Sequence, residues 1–222
     1  MLLAVDTSTP TLGLALYDGN RVHAEMIWQS RARHTVELAP SAERMLKQSG
    51  AAPTDLTGLA VTIGPGSFTS LRVGLAFIKG LALALKIPVV GIPSLDIVAA
   101  IQPPSELPLA AVLPAGRTRL AVCWYHYTEN EWQFSGNMKV QTAQELSDEI
   151  HTASIICGEM TGEERQILSR KWKNAHLVSP AAGMRRPSVL AELGWKKLEA
   201  GAADDPVTLA PIYLHVNEVI PS

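Results

Sequence analysis

The strongest constraint on the fold is a repeat carried by element order and not by residue identity. Leu2–Val5, Leu12–Tyr17 and Val22–Trp28 read as strands, with Asp18-Gly19 as a hairpin signal. Residues 34–49 read as a helix stopped by Gly50, and Pro40 either kinks it or marks a later start. A strand at Leu59–Ile63, a helix after GPGS, a strand at Ile87–Ile92 and a helix at Ser94–Ile101 complete the first half. The prolines of QPPSEL, at 102–107, break both periodicities, and the same order then returns. Leu109–Leu113, Leu120–Tyr127 and Trp132–Val140 are strands, and Thr142–Ile150 is a helix opened by a Thr142–Glu145 capping box. Ser154–Cys157, Gly162–Trp172, His176–Val178 and Pro187–Ala200 follow as strand, helix, strand, helix. Such doubling predicts an α/β protein of two lobes, 1–103 and 104–222, each with a mixed sheet and flanking helices. The tail, PVTLAPIYLHVNEVIPS, reads as a last extended segment.

Within the first half, Gly64–Lys86 is the most distinctive stretch. Pro65 presets one corner of a turn, Gly66 suits the positive φ of a type II turn, and Ser67 stands where an N-cap belongs. This is a strand–turn–helix join or, because early helix amides favour negative charge, an anion cradle. The helix that follows is apolar on most sides, with Arg72, Lys79 and Lys86 as one narrow polar line. A surface helix needs only one apolar stripe, so this one packs inside its lobe or against a partner. Gly74 and Gly80 each cost about 1 kcal/mol in a helix interior and admit a close neighbour.

The 222 residues are 47% apolar and 18% charged, enough for a sizeable core and unlike a disordered chain. A net charge of −2 gives no general attraction to nucleic acid or anionic membranes. The pairs Arg185–Arg186 and Lys196–Lys197 read as solvated surface. Cys123 and Cys157 lie in apolar runs and read as buried thiols of a reducing compartment. MLLAVDTS lacks a basic leader and meets Asp6 early, and Lys79 interrupts the longest apolar run. The expectation is a cytoplasmic protein with no membrane association.

Three pieces carry a family resemblance: LLAVDTSTPTLGLAL, IGPGSFTSLRVGLAFIKGLALALKIPVVGIPSL and PIYL. They resemble the TsaB (YeaZ) family, within the actin-like ATPase and glycoprotease-like superfamily, clearly over about residues 1–100 and thinly beyond. The resemblance implies a duplicated actin-like (ribonuclease H-like) fold and a role in tRNA N6-threonylcarbamoyladenosine modification at position 37. It implies a non-catalytic partner of a TsaD-like catalytic subunit, joined by a TsaE-like ATPase, with tRNA met only through the complex. It also implies pairing with TsaD, or with a second copy of itself, through helices of the N-terminal lobe. On this chain those helices supply Leu71, Gly74, Phe77, Ile78, Leu81, Leu38 and Met45 as interface candidates. The chain departs from the family at Ser70, where members read GSFTGLR, and at LPAGRTR, where Pro114, Arg117 and Arg119 replace an Asp-Ala-Arg motif.

The residues support the non-catalytic reading separately. None of His23, His34, His126, His151, His176 and His215 lies four residues from another, so no helix face offers paired imidazoles for zinc. His34 reads as a capping or surface residue, and no metal or cofactor is expected. Asp6, Thr7 and Ser8 are the weak candidates for a vestigial nucleotide site, in a loop without glycine. Their hydroxyls equally satisfy the turn's own backbone. Two other functions fit the superfamily. An ATP-dependent small-molecule kinase needs a second phosphate loop, for which CGEMTGEE is the one weak candidate. A zinc peptidase needs the histidine pair that is missing.

Overall fold

A computed structural model describes residues 1–31, 33–116 and 118–213. The first half runs β1 (Leu2–Asp6), β2 (Thr11–Tyr17), β3 (Val22–Gln29), α1 (His34–Gln48), β4 (Gly58–Gly64), α2 (Phe68–Leu85), β5 (Val89–Pro93) and α3 (Ser94–Ala100). The second half runs β6 (Leu109–Pro114), β7 (Arg119–Thr128), β8 (Glu131–Thr142), α4 (Ala143–Glu149), β9 (Ser154–Gly158), α5 (Gly162–Ser169), β10 (Ala175–Leu177) and α6 (Pro187–Glu199). A short 3-10 helix at Pro53–Asp55 is the one addition to the expected order. Helix α1 starts at His34 and runs through Pro40, so the later start is ruled out.

Two five-stranded sheets result, ordered β3-β2-β1-β4-β5 and β8-β7-β6-β9-β10. In both, the central strand pairs antiparallel with the next strand in sequence and parallel with the fourth. The wiring is therefore the same twice, which is the duplicated actin-like plan.

The central strands explain why helices must cover both faces. Every residue of β1 is buried. Because side chains alternate across a strand, Leu3 and Val5 meet Leu38, Met45, Leu75 and Ile78 of α1 and α2. Leu2 and Ala4 meet Leu190 and Ala191 of α6 on the other face. The second sheet repeats this, with Leu109, Ala111 and Leu113 against Leu95, Val98 and Ala99 of α3. Ala110 and Val112 pack with Leu146 of α4 and Leu168 of α5. The strands of the two sheets part between β5 and β6, while α3 covers the second sheet and α6 returns to cover the first.

Local signals hold where expected. The Thr142 hydroxyl accepts the Glu145 amide at 3.2 Å, and the Glu145 carboxylate accepts the Thr142 amide at 2.7 Å. Thr161 and Glu164 form the same reciprocal cap on α5. Cys123 and Cys157 are buried and free, and burial pushes the Cys123 thiol up to about 12. At the C-terminus the chain runs back past the first sheet, where the Asp204 amide bonds the Val89 carbonyl at 2.8 Å and the Ile212 amide the Ile63 carbonyl at 2.6 Å. The rest of the expected extended tail, from 214, lies outside the described residues, as does Arg117.

Candidate functional site

Two places merit attention: the end of β1, where an actin-like ATPase would hold metal and phosphate, and the outer face of α1 and α2. At the first, Asp6 is 3% exposed. Its Oδ1 accepts the Ser8 amide at 2.9 Å, the Ser8 hydroxyl at 2.6 Å and the Thr62 hydroxyl at 3.1 Å. Its Oδ2 accepts Nε of Arg185 at 2.7 Å. The same guanidinium donates through Nη1 to Glu159 at 2.5 Å and through Nη2 to the Thr9 hydroxyl at 2.9 Å. Arg185 is itself 2% exposed. Burial alone would push the Asp6 carboxyl up; the Arg185 charge and the Ser8 hydrogen bonds outweigh it and hold it below its ordinary value.

This arrangement decides what Asp6, Thr7 and Ser8 can do. Asp6 and Ser8 spend their polar atoms on each other and on Arg185. The Thr7 hydroxyl is buried without a partner and lies against Gly74 of α2. The site that would need a cation already holds a fixed one, a guanidinium brought from 179 residues away. Among the described residues, no group of three or more His, Cys, Asp and Glu side chains gathers as a metal site.

Arg185 was expected at the surface with Arg186, and it is buried. Only Arg186 is solvated, bonded to Glu25 of β3. The partners of Arg185 are remote in sequence, so pattern alone could not reveal them. One signal was available: Arg185 lies just before the N-terminus of α6, where a cation is disfavoured unless something else holds it. His34 also departs from expectation. It is 3% exposed and its Nε2–H donates to the Thr9 carbonyl at 3.1 Å, tying α1 to the first hairpin.

The GPGS turn is fastened to that hairpin too. The Ser67 amide donates to the Ser8 carbonyl at 2.7 Å, so it is not free for an anion. A side chain on Gly66 would run into that same carbonyl oxygen. Positive φ falls on Gly64, at 104°, and not on Gly66 as a type II turn would require. Gly66 is there for close approach. Ser67 caps α2 as expected, its hydroxyl facing the Ser70 amide at 3.5 Å.

The second place is the outer face of α2. By length and composition this helix would suffice to cross a membrane, yet it lies along the first sheet with five of its 18 residues buried. Those five are Leu71, Gly74, Leu75, Ile78 and Ala82. Leu71, Gly74 and Ile78, with Leu38 and Met45 of α1, all offered by the sequence as interface candidates, are buried within this chain. Their spacing faces the sheet, and Gly74 makes room for Thr7. Phe77 and Leu81 are half-buried and line an apolar groove of about 240 Å³ between α1 and α2. Beside them Ala76, Gly80 and Ala84 are exposed, as are Leu83 at 63% and Val36 of α1 at 58%. Gly80 has open space above it, so it thins the outer surface.

The family model described as TsaD, tRNA N6-adenosine threonylcarbamoyltransferase, matches residues 28–183. The tRNA threonylcarbamoyladenosine biosynthesis protein TsaB of Bacillus subtilis is 31% identical over 98% of this chain and 95% of that protein. The protein of the same name from Escherichia coli is 37% identical over 42% of this chain and 40% of its own length. Among solved structures, YeaZ from Pseudomonas aeruginosa superimposes with a TM-score of 0.80 at 24% identity, covering 96% of this chain and 99% of that one. That last likeness is one of fold.

Proposed function

This chain belongs to the TsaB family of tRNA threonylcarbamoyladenosine biosynthesis proteins, and we propose that it serves that modification as a non-catalytic partner of a TsaD-like threonylcarbamoyltransferase. The observation that carries the reading is the outer face of α2, where exposed Ala76, Gly80, Leu83 and Ala84 lie beside half-buried Phe77 and Leu81 as an apolar surface that no other element covers among the described residues. Contiguous apolar surface of this kind marks an association site. Small residues at 76, 80 and 84 let a partner helix approach closely, and the neighbouring groove suits an apolar anchor.

The occupied cleft supports the non-catalytic half of the reading. Arg185 takes up the Asp6 carboxylate, which speaks against that carboxylate holding a nucleotide-bound metal. Among the described residues no group of His, Cys, Asp and Glu gathers as a zinc peptidase needs, and Glu159 of the CGEMTGEE segment is bonded to Arg185. The assembly we infer acts in the cytoplasm, includes a TsaE-like ATPase, reaches tRNA through the complex and leaves α1 and α2 able to pair with a second copy when TsaD is absent.

The test is reconstitution with the cognate threonylcarbamoyltransferase, an activated threonylcarbamoyl donor and tRNA. The expected result is no modification by this chain alone and a marked gain when it joins the enzyme. Turnover by this chain alone, or an enzyme indifferent to its presence, would overturn the proposal.

A further inference from the structure

Helices α3 and α6 and the β7–β8 hairpin wall a cavity of about 600 Å³ to which α1 and α2 contribute nothing. Tyr125, Tyr127, Trp132 and Phe134 line it together with Asp96. The rings are held in place. The Trp132 Nε1–H donates to the Gln102 carbonyl at 3.0 Å. Edge contacts join Tyr127 to Trp132 at 5.4 Å and Tyr125 to Phe134 at 5.8 Å. The Tyr125 hydroxyl donates to Asp96 Oδ1 at 2.7 Å. Among the described residues Asp96 Oδ2 has no hydrogen-bond partner.

No cationic side chain among the described residues forms an ion pair with Asp96. Burial pushes its carboxyl up, opposed only by the Tyr125 hydrogen bond. Lys197 is committed elsewhere, to Asp204 at 2.8 Å and the Gly91 carbonyl at 3.3 Å. Lys196 is exposed at the wall of the same cavity. A carboxylate among aromatic rings is costly where nothing neutralises it, and both partners attract a cation: the carboxylate by charge, the ring faces by their quadrupoles. The lining mixes the aromatic rings with polar and charged side chains, Glu131 and Gln133 among them, and a concavity of this size with convergent polar groups can hold a small molecule.

We propose that this cavity binds a small zwitterion of the amino-acid class, with its ammonium on Asp96 Oδ2, its apolar body among the rings and its carboxylate toward Lys196. Opposite charges in one lining, Asp96 and Lys196, select the class: a simple amine leaves Lys196 unused, and a simple acid faces Asp96 unfavourably. The proposal is independent of the partner role, since it uses neither α1 nor α2.

The experiment is a titration of the full-length, isotope-labelled protein, following the Trp132 indole and the Asp96 and Gln102 amides by NMR. The probes are phenylalanine, phenethylamine and 3-phenylpropionate, which share a ring and differ in charge. Phenylalanine should give saturable shifts, phenethylamine weaker ones and 3-phenylpropionate none. Asp96→Asn keeps an acceptor for Tyr125 and removes the charge; it should weaken phenylalanine about tenfold or more. Lys196→Ala should bring phenylalanine down to the affinity of phenethylamine. Equal binding of 3-phenylpropionate, no saturable shift with phenylalanine, or wild-type affinity in a folded Asp96→Asn would each overturn the proposal. The three probes on the unaltered protein decide the matter if that variant does not fold.

Discussion

Arg185→Met is the most informative single change to the cleft. It keeps roughly the length of the side chain and removes the guanidinium's donors to Asp6, Glu159 and Thr9. Asp6 would then be a buried carboxylate with no cation beside it; Glu159, whose side chain is 25% exposed, can turn to water. Removing one member of a buried pair costs about 3–5 kcal/mol, chiefly from the charge left behind. For a chain of this size that is a fall in melting temperature of about 6–20 °C. Denaturant unfolding and calorimetry at pH 7 measure it. Asp6→Asn added to Arg185→Met should recover part of the loss, with a coupling of about 0.5–3 kcal/mol. The pH dependence supplies a second readout. The folded pKa of Asp6 lies below 3.8, so its contribution is present above that value and lost as pH falls through the folded pKa. Without Arg185, burial acts unopposed and the loss should begin at higher pH. A melting temperature within 2 °C of the parent, or strict additivity with Asp6→Asn, would refute the claim that the guanidinium neutralises this carboxylate.

Other expected outcomes follow from single contacts. Gly66→Ala places a methyl against the Ser8 carbonyl and should destabilise by about 1–3 kcal/mol in denaturant titrations, as overpacking does. Thr161→Ala removes the α5 cap at about 1 kcal/mol by the same assay. Burial lowers the pKa of His34 in the fold. Below its ordinary value of 6.5 the unfolded chain binds the proton first, so stability should fall as pH drops from 7.5 to 5.5. His34→Gln, which retains a donor for the Thr9 carbonyl, should flatten that slope.

The element order was legible because each half repeats local signals that do not depend on tertiary context. Capping at Thr142, the hairpin at Asp18-Gly19 and the all-apolar runs of β1 and β6 are of this kind. Residue roles were less legible. In α2, an apolar helix on nearly all sides hides which side meets the sheet. Leu71 and Ile78 read as well for a partner as Phe77 and Leu81, and only the packing against β1 and β4 separates them. Arg185 was missed because a buried ion pair is made by two residues from opposite ends of the chain. Gly66 was assigned to the wrong cause, since a turn and a close approach both call for glycine. The thin family likeness beyond residue 100 did not hinder the second lobe, whose strands follow from hydrophobic pattern alone.

The central claim is that the outer face of α2 joins this chain to a threonylcarbamoyltransferase. The direct measurement is the dissociation constant of that pair by calorimetry, for the parent and for Leu83→Asp and Trp172→Asp. Both side chains are exposed, at 63% and 70%, so neither change should alter the fold, whereas Ile78, at 0%, is unsuited to the test. Leu83→Asp should weaken the complex about 30-fold or more, as loss of a 2 kcal/mol hot spot does, and Trp172→Asp, on the second lobe, should leave it unchanged. Parent-like affinity in Leu83→Asp with an unaltered melting temperature would contradict the account.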